Sequence, residues 1–125
     1  MGLRMSIIPE ALAICRLGPD TALPAWVAEG TFFSVTRTAD EWSLVVEESR
    51  IPTDVQRDGP WRAFKIDGPI PFSAVGVLVS VAEPLARASI SLFAISTFDT
   101  DYILVRADSM EAALLALSRA GHTVW

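Results

Sequence analysis

The sequence predicts an α+β fold made of two related units in tandem, a truncated βαββ copy followed by a complete βαββαβ copy. Three observations carry that prediction. First, Ile90–Arg106 (ISLFAISTFDTDYILVR) joins two apolar, β-branched and aromatic runs through a polar hinge of Thr97, Phe98, Asp99, Thr100 and Asp101. Such runs favour pleated strands, while Thr and Asp at the junction satisfy turn backbone and can also face a ligand. Second, at an offset of 60 residues Phe32–Ser49 aligns with Leu92–Ser109 without a gap. Phe33/Phe93, Leu44/Leu104, Val45/Val105 and Ser49/Ser109 are identical, and Val35/Ile95, Thr36/Ser96 and Trp42/Tyr102 are conservative. Third, at an offset of 50 Ala13 meets Ala63 and Gly18-Pro19 meets Gly68-Pro69. Each half therefore reads strand, Gly-Pro turn, helix, hairpin.

In the first half the apolar run Ala11–Leu17 precedes the Gly18-Pro19 turn, and Ala22–Gly30 leaves room for a helix of about two turns. The polar stretch Ser49–Pro60 stands where a second helix belongs, so the division predicted is a truncated subdomain over 1–50, a linker over 51–60 and a full subdomain over 61–125. In the second half Val77, Leu78, Val81, Leu85 and Ala88 follow core-facing helical spacing, with Phe72-Ser73 leading in and Ser73 or Ala74 near the start. Pro84 removes one backbone bond and predicts a bend or an irregular last turn. Asp108 and Glu111 resemble a capping box before the stripe Met110, Ala113, Leu114 and Leu117, which Gly121 ends. His122–Trp125 can add a short last strand.

At 125 residues, 51% hydrophobic and 20% charged, the chain can bury a core, and disorder is not expected. The longest apolar candidate, Val75–Val81, falls far short of a membrane helix, and MGLRMSIIPEALAI is interrupted by Pro9 and Glu10, a poor secretion signal. A soluble cytoplasmic protein that does not engage membrane is expected. Cys15 is the only cysteine, which excludes an intramolecular disulfide and a cysteine metal cage; a buried structural thiol is expected. A net charge of −5 and a pI near 4.7 disfavour nucleic acid as a partner, since phosphate binding needs clustered Lys and Arg. No Ser or Cys nucleophile has a base partner in the pattern, and no His, Cys and carboxylate cluster has metal-ligand spacing, so neither enzyme activity nor a cofactor is expected. His122, the only histidine, reads as a partly exposed terminal residue, and Trp26, Trp42, Trp61 and Trp125 as core or subunit contacts. Gly76 reads equally as a close helix-packing position.

A βαββαβ unit with two helices on one face of a sheet is the ferredoxin-like arrangement, which hosts many unrelated activities. Within it, Gly76–Val105 (GVLVSVAEPLARASISLFAISTFDTDYILV) carries Pro-Leu-Ala, Ile-Ser and Ser-Thr-Phe-x-x-Asp elements in order. This stretch resembles the ACT domain family, in particular its tandem subgroup of small bacterial proteins and animal cytosolic arginine sensors (CASTOR). The resemblance covers the second half well and the first half loosely. It implies a regulatory amino-acid-binding module, with ligand between the loop before the first helix and the neighbouring strand, at an interface between ACT units. By matched position it assigns ligand contacts to Thr97, Phe98 and Asp101 at the hairpin tip and to Ser91 and Leu92 on the strand.

Before the helix the arginine sensors carry Gly-Phe-Asp-Glu where this chain has Pro71, Phe72, Ser73 and Ala74. A guanidinium is best held by a carboxylate fork, so this loss leaves only Asp101 or Asp99 for a cationic side chain. Recognition of a generic amino acid survives: backbone N–H groups over Ala74, Val75, Gly76 and Val77 suit the α-carboxylate, and Asp101 or backbone carbonyls suit the α-ammonium. The alternative is an ACT-like scaffold without ligand that acts only through protein association. Edge strands left by such sheets predict a homodimer, and any regulated target is expected to be a separate chain.

Overall fold

The computed structural model describes residues 2–125. Its strands are β1 (Arg4–Ile7), β2 (Leu12–Leu17), β3 (Phe33–Arg37), β4 (Trp42–Glu47), β5 (Arg57–Ile66), β6 (Leu92–Ser96), β7 (Asp101–Arg106) and β8 (Thr123–Val124). The helices are α1 (Val77–Arg87) and α2 (Met110–Arg119), with 3-10 turns at Ala25–Glu29, Glu48–Arg50 and Ala107–Ser109. Two compact units make up the chain: Glu10–Trp61, and the chain up to Pro9 together with Arg62–Trp125. The fold class is α+β, ferredoxin-like.

In the unit Glu10–Trp61 the strand order is β3-β4-β2-β5, every pair antiparallel. Its core gathers Ala13, Cys15, Val27, Leu44, Val46 and Ile51. Where a helix of two turns was predicted over 22–30, only the 3-10 turn Ala25–Glu29 forms. Pro24 precedes it, no side chain caps it, and Gly30 ends it in extended backbone. So short a segment cannot repay the cost of nucleating an α-helix. Residues 57–60, placed in the linker by sequence, already belong to β5, and the register against β2 shifts between Leu12 and Ile14. A bulge of this kind is where a strand tolerates Gly59 and Pro60.

The second unit has the order β6-β7-β5-β1-β8. Sequence reading assigned residues 1–50 to the first copy, yet β1 pairs antiparallel with the end of β5 (Met5 opposite Ile66) and parallel with β8 (Arg4 opposite Thr123). Met5, fully buried among Phe64, Ile66, Val105 and Leu117, anchors it there. Burying such a side chain contributes about 1.5–3 kcal/mol, which adds to the hydrogen bonds on both sides of a four-residue strand whose Arg4 and Ser6 face away from the core.

Helix α1 buries Val81 and Leu85, spaced by one turn, and packs Val77 partly; Leu78 and Ala88 of the predicted stripe stay exposed. It ends in a Schellman motif without glycine. Ser89 at φ 59 takes the left-handed position, Ser89 N–H donates to the Ala86 carbonyl and Ile90 N–H to that of Leu85. Helix α2 closes with the same motif, here with Gly121 at φ 93 and the Gly121 and His122 N–H groups bonded to Ser118 and Leu117. The capping box predicted from Asp108 and Glu111 is absent: the 3-10 turn Ala107–Ser109 runs into α2, and its N-cap is Ser109 with no side-chain bond.

Pro84 lies inside α1, which continues through it to Arg87. Because Pro84 has no N–H, the Ser80 carbonyl loses its helical donor. His122 supplies the replacement: its Nε2 stands 2.7 Å from the Ser80 carbonyl, and its Nδ1 accepts the Leu3 N–H at 3.1 Å. Since Nδ1 accepts, the partners assign the proton to Nε2. His122 is therefore no partly exposed terminal residue; it is 5% exposed and joins α1, the segment before β1 and the start of β8.

Candidate functional site

The turn of the β6–β7 hairpin is held by Thr97. Its N–H and hydroxyl both donate to the Thr100 carbonyl, at 2.8 and 3.1 Å, and its Oγ1 accepts the Thr100 N–H at 3.3 Å. Thr100 is buried and its hydroxyl donates to the Ile66 carbonyl at 2.5 Å, tying the tip to β5. The loop after β5 is stitched to the same tip by the Ile70 N–H, which donates to the Asp99 carbonyl at 2.7 Å. That bond sets Phe72 beside Phe98, edge to face, with centroids 5.1 Å apart. Asp101 opens β7 opposite Ser96, whose hydroxyl donates to Asp101 Oδ1 at 2.6 Å.

Gly76 begins α1 at φ 83, a backbone conformation that glycine adopts without cost. A Cβ there would meet nothing within 4 Å, so the residue serves the turn and not close helix packing. The first intrahelical bond is Ser80 N–H to the Gly76 carbonyl, and no side chain caps the helix. The N–H groups of Val77, Leu78 and Val79 thus stand ahead of it at the positive end of the helix dipole.

These parts enclose a cavity of about 280 Å³. One wall is Ile70, Pro71, Phe72 and Ala74, another is Gly76, Val77 and Leu78 at the start of α1, and the third is the hairpin tip with Ser96, Thr97, Phe98, Thr100 and Asp101. Of the residues predicted from sequence, Ala74, Gly76, Thr97, Phe98 and Asp101 line this one cavity. Val75 does not: it is almost wholly exposed. Neither do Ser91 and Leu92, since Leu92 pairs with Val105 at the far end of the hairpin from the Ser96–Asp101 pair. The Ala74 N–H is already bonded to the Pro71 carbonyl at 3.0 Å, which removes it from the donors available at the start of α1. Sequence reasoning passed over Ile70, Leu78 and Ser96 as contacts, although the Ser96 hydroxyl beside a strand-start Asp was the available signal.

Among the described residues no group of three or more His, Cys, Asp or Glu could hold a metal ion. Cys15 is buried in the other unit; burial pushes its thiol pKa up, and the Arg57 guanidinium opposes part of that rise. No helix among the described residues is long and apolar enough to cross a membrane.

A family model described as ACT domain matches residues 56–119, and a separate model of an N-terminal domain matches 10–54. The chain belongs to the ACT domain family. The Agobacterium tumefaciens protein Atu0741 is 40% identical to this ACT protein, covering all of the chain and 93% of its own with a TM-score of 0.93. The human cytosolic arginine sensor for mTORC1 subunit 1 is 32% identical over 97 residues, 71% of this chain and 30% of the sensor. The chain thus spans about a third of the length of the curated relatives it matches. The regulatory subunit of aspartate kinase from Thermus thermophilus shares the fold, at 15% identity and a TM-score of 0.63.

Proposed function

We propose that this ACT protein is a non-catalytic regulatory module that binds one free amino acid in the cavity between the start of α1 and the β6–β7 tip. The observation that carries the reading is the pairing of opposite charges across that cavity. Uncapped N–H groups of Val77 and Leu78 suit an α-carboxylate, and Asp101, with one oxygen engaged by Ser96, keeps the other for an α-ammonium. A zwitterion has this charge pattern. Membership in the ACT family and the arginine-sensing role named for the human relative support a sensing role for this chain.

In this reading the protein is cytoplasmic, works as a homodimer and passes its state to a separate target chain. Strands β3 and β6 lie at sheet edges, and Phe72, Val75, Val79 and Phe98 remain exposed near the cavity, which favours association between copies. Ser91 and Leu92, away from the cavity in one chain, would contact ligand only across such an interface.

A thermal-shift screen against the twenty amino acids tests the proposal. A ligand that binds only the native state stabilises it by about 2.7 kcal/mol at a hundredfold excess over Kd. The expected result is a selective shift that Asp101→Ala abolishes. A stable dimer that responds to no amino acid would instead indicate the association-only scaffold.

A further inference from the structure

Resting on the amino-acid-binding reading, we infer that the ligand is a neutral amino acid with an apolar side chain, and that the Phe72–Phe98 pair selects it. Among the described residues Asp101 is the sole ionisable side chain that lines the cavity, and no basic side chain lines it. One carboxylate neutralises one cation. An α-ammonium takes that capacity, so a second cation on the ligand would lie against apolar walls with no counter-charge, and a second anion would have only the helix end already committed to the α-carboxylate.

The space beyond the backbone-recognising groups is walled by Ile70, Pro71, Phe72, Leu78 and Phe98. The two rings are held edge to face at 89°, yet Phe72 is 77% and Phe98 80% exposed, a costly arrangement for aromatic surface that a bound apolar group would cover. Their spacing does not depend on the rings alone, because the Ile70 to Asp99 backbone bond fixes the loop against the hairpin tip. A volume of about 280 Å³ lies just below the roughly 300–1,000 Å³ range of sites for drug-sized ligands, a size suited to a free amino acid.

Isothermal titration of the full chain with leucine, phenylalanine, arginine and glutamate tests the inference. Leucine or phenylalanine should bind about tenfold or more tightly than arginine and glutamate, the discrimination an apolar pocket supplies. Phe98→Ala and Phe72→Ala, both at exposed positions, should weaken that binding by about tenfold while lowering the melting temperature of the free protein by no more than a few degrees, the loss of one ring contact. Ala74→Glu, which adds a second carboxylate at an open edge of the cavity, should raise arginine affinity relative to leucine. Arginine or glutamate binding the wild type as tightly as leucine, or a Phe98→Ala protein with unaltered leucine affinity, would overturn the assignment of ligand class and leave amino-acid binding standing. Failure of all four to bind, together with an empty thermal-shift screen, would overturn both.

Discussion

The two hairpins of this chain close on the same turn and differ at the pair of residues just beneath it. In β3–β4, Thr38 N–H and hydroxyl donate to the Glu41 carbonyl and Thr38 Oγ1 accepts the Glu41 N–H. Thr97 and Thr100 repeat that pattern in β6–β7. Below the first turn Arg37 faces Trp42, with the guanidinium 5.2 Å from the ring centroid and the indole N–H donating to the Thr21 carbonyl at 2.9 Å. Below the second, Ser96 faces Asp101 beside the cavity. The first pair is a stacked cation and indole, whereas the second is a small hydroxyl and a carboxylate that line a cavity. Under the proposed function, the pair beneath the second turn faces the ligand and the pair beneath the first does not.

Two carboxylates sharpen the contrast most. Glu47, at the end of β4, is buried and accepts the Thr31 N–H at 2.5 Å and the Phe32 N–H at 3.4 Å. Its contact with Arg50, 3.8 Å away, is partly exposed and adds little. Glu47→Ala should cost roughly 1.5–3 kcal/mol in urea unfolding, because hydrogen bonds to a charged acceptor are lost. Its ligand response should survive. Asp101→Ala should cost less than about 1 kcal/mol and remove the response entirely. The reverse pattern would mean that the second hairpin is structural and the binding site lies elsewhere.

Grafting tests whether the pair beneath the turn decides function. Ser96→Arg combined with Asp101→Trp places the first hairpin's closing residues in the second. Stabilisation by ligand, about 2.7 kcal/mol at a hundredfold excess over Kd, should fall to zero while the far-ultraviolet circular dichroism stays that of the parent. A retained response would show that α1 alone holds the ligand.

The second unit also keeps a true helix where the first has a 3-10 turn, and that helix depends on an atom from another element. His122→Ala should destabilise by about 1–3 kcal/mol, since the Ser80 carbonyl and the Leu3 N–H both lose their partner. In a Pro84→Ala background residue 84 regains an N–H for Ser80, so the same truncation should cost about 1 kcal/mol less. Additive costs in the double-mutant cycle would separate the histidine from the proline.

What the sequence made legible followed from side-chain type at short range. The β6–β7 hairpin and α2 with its Gly121 terminus were readable from pattern, whereas the placing of Thr97, Phe98 and Asp101 beside the start of α1 came from the family resemblance. Register was not. The repeat predicted at an offset of 60 runs at 59 by turn geometry, Thr38 to Thr97, and at that offset Leu44, Val45 and Val46 match Ile103, Leu104 and Val105 in burial. Runs of Leu, Ile and Val score almost as well one residue out of step, while a one-residue slip reverses every side chain, so hydrogen bonds decide what identity cannot. Long-range partners were equally hidden: nothing local in Arg4–Ile7 names β5 and β8, and nothing in His122 names Ser80, 42 residues away.

The smallest expected effect concerns how the helix peculiar to the second unit is ended. Ser89 holds φ 59 so that Ile90 N–H can reach the Leu85 carbonyl at 2.9 Å while Ile90 and Leu85 join the same core. A residue with a Cβ is strained there by about 1–2 kcal/mol, and glycine is not. Glycine also enlarges the conformational freedom of the unfolded chain, which returns part of that gain. Ser89→Gly should therefore raise unfolding stability by a net of about 0.5–1 kcal/mol, with an unchanged denaturant slope. Gly121→Ala, in the matching position after α2 at φ 93, should lower it by a similar amount. If Ser89→Gly destabilises instead, the serine contributes more to the end of α1 than its backbone costs, and the parallel between the two helix termini is broken.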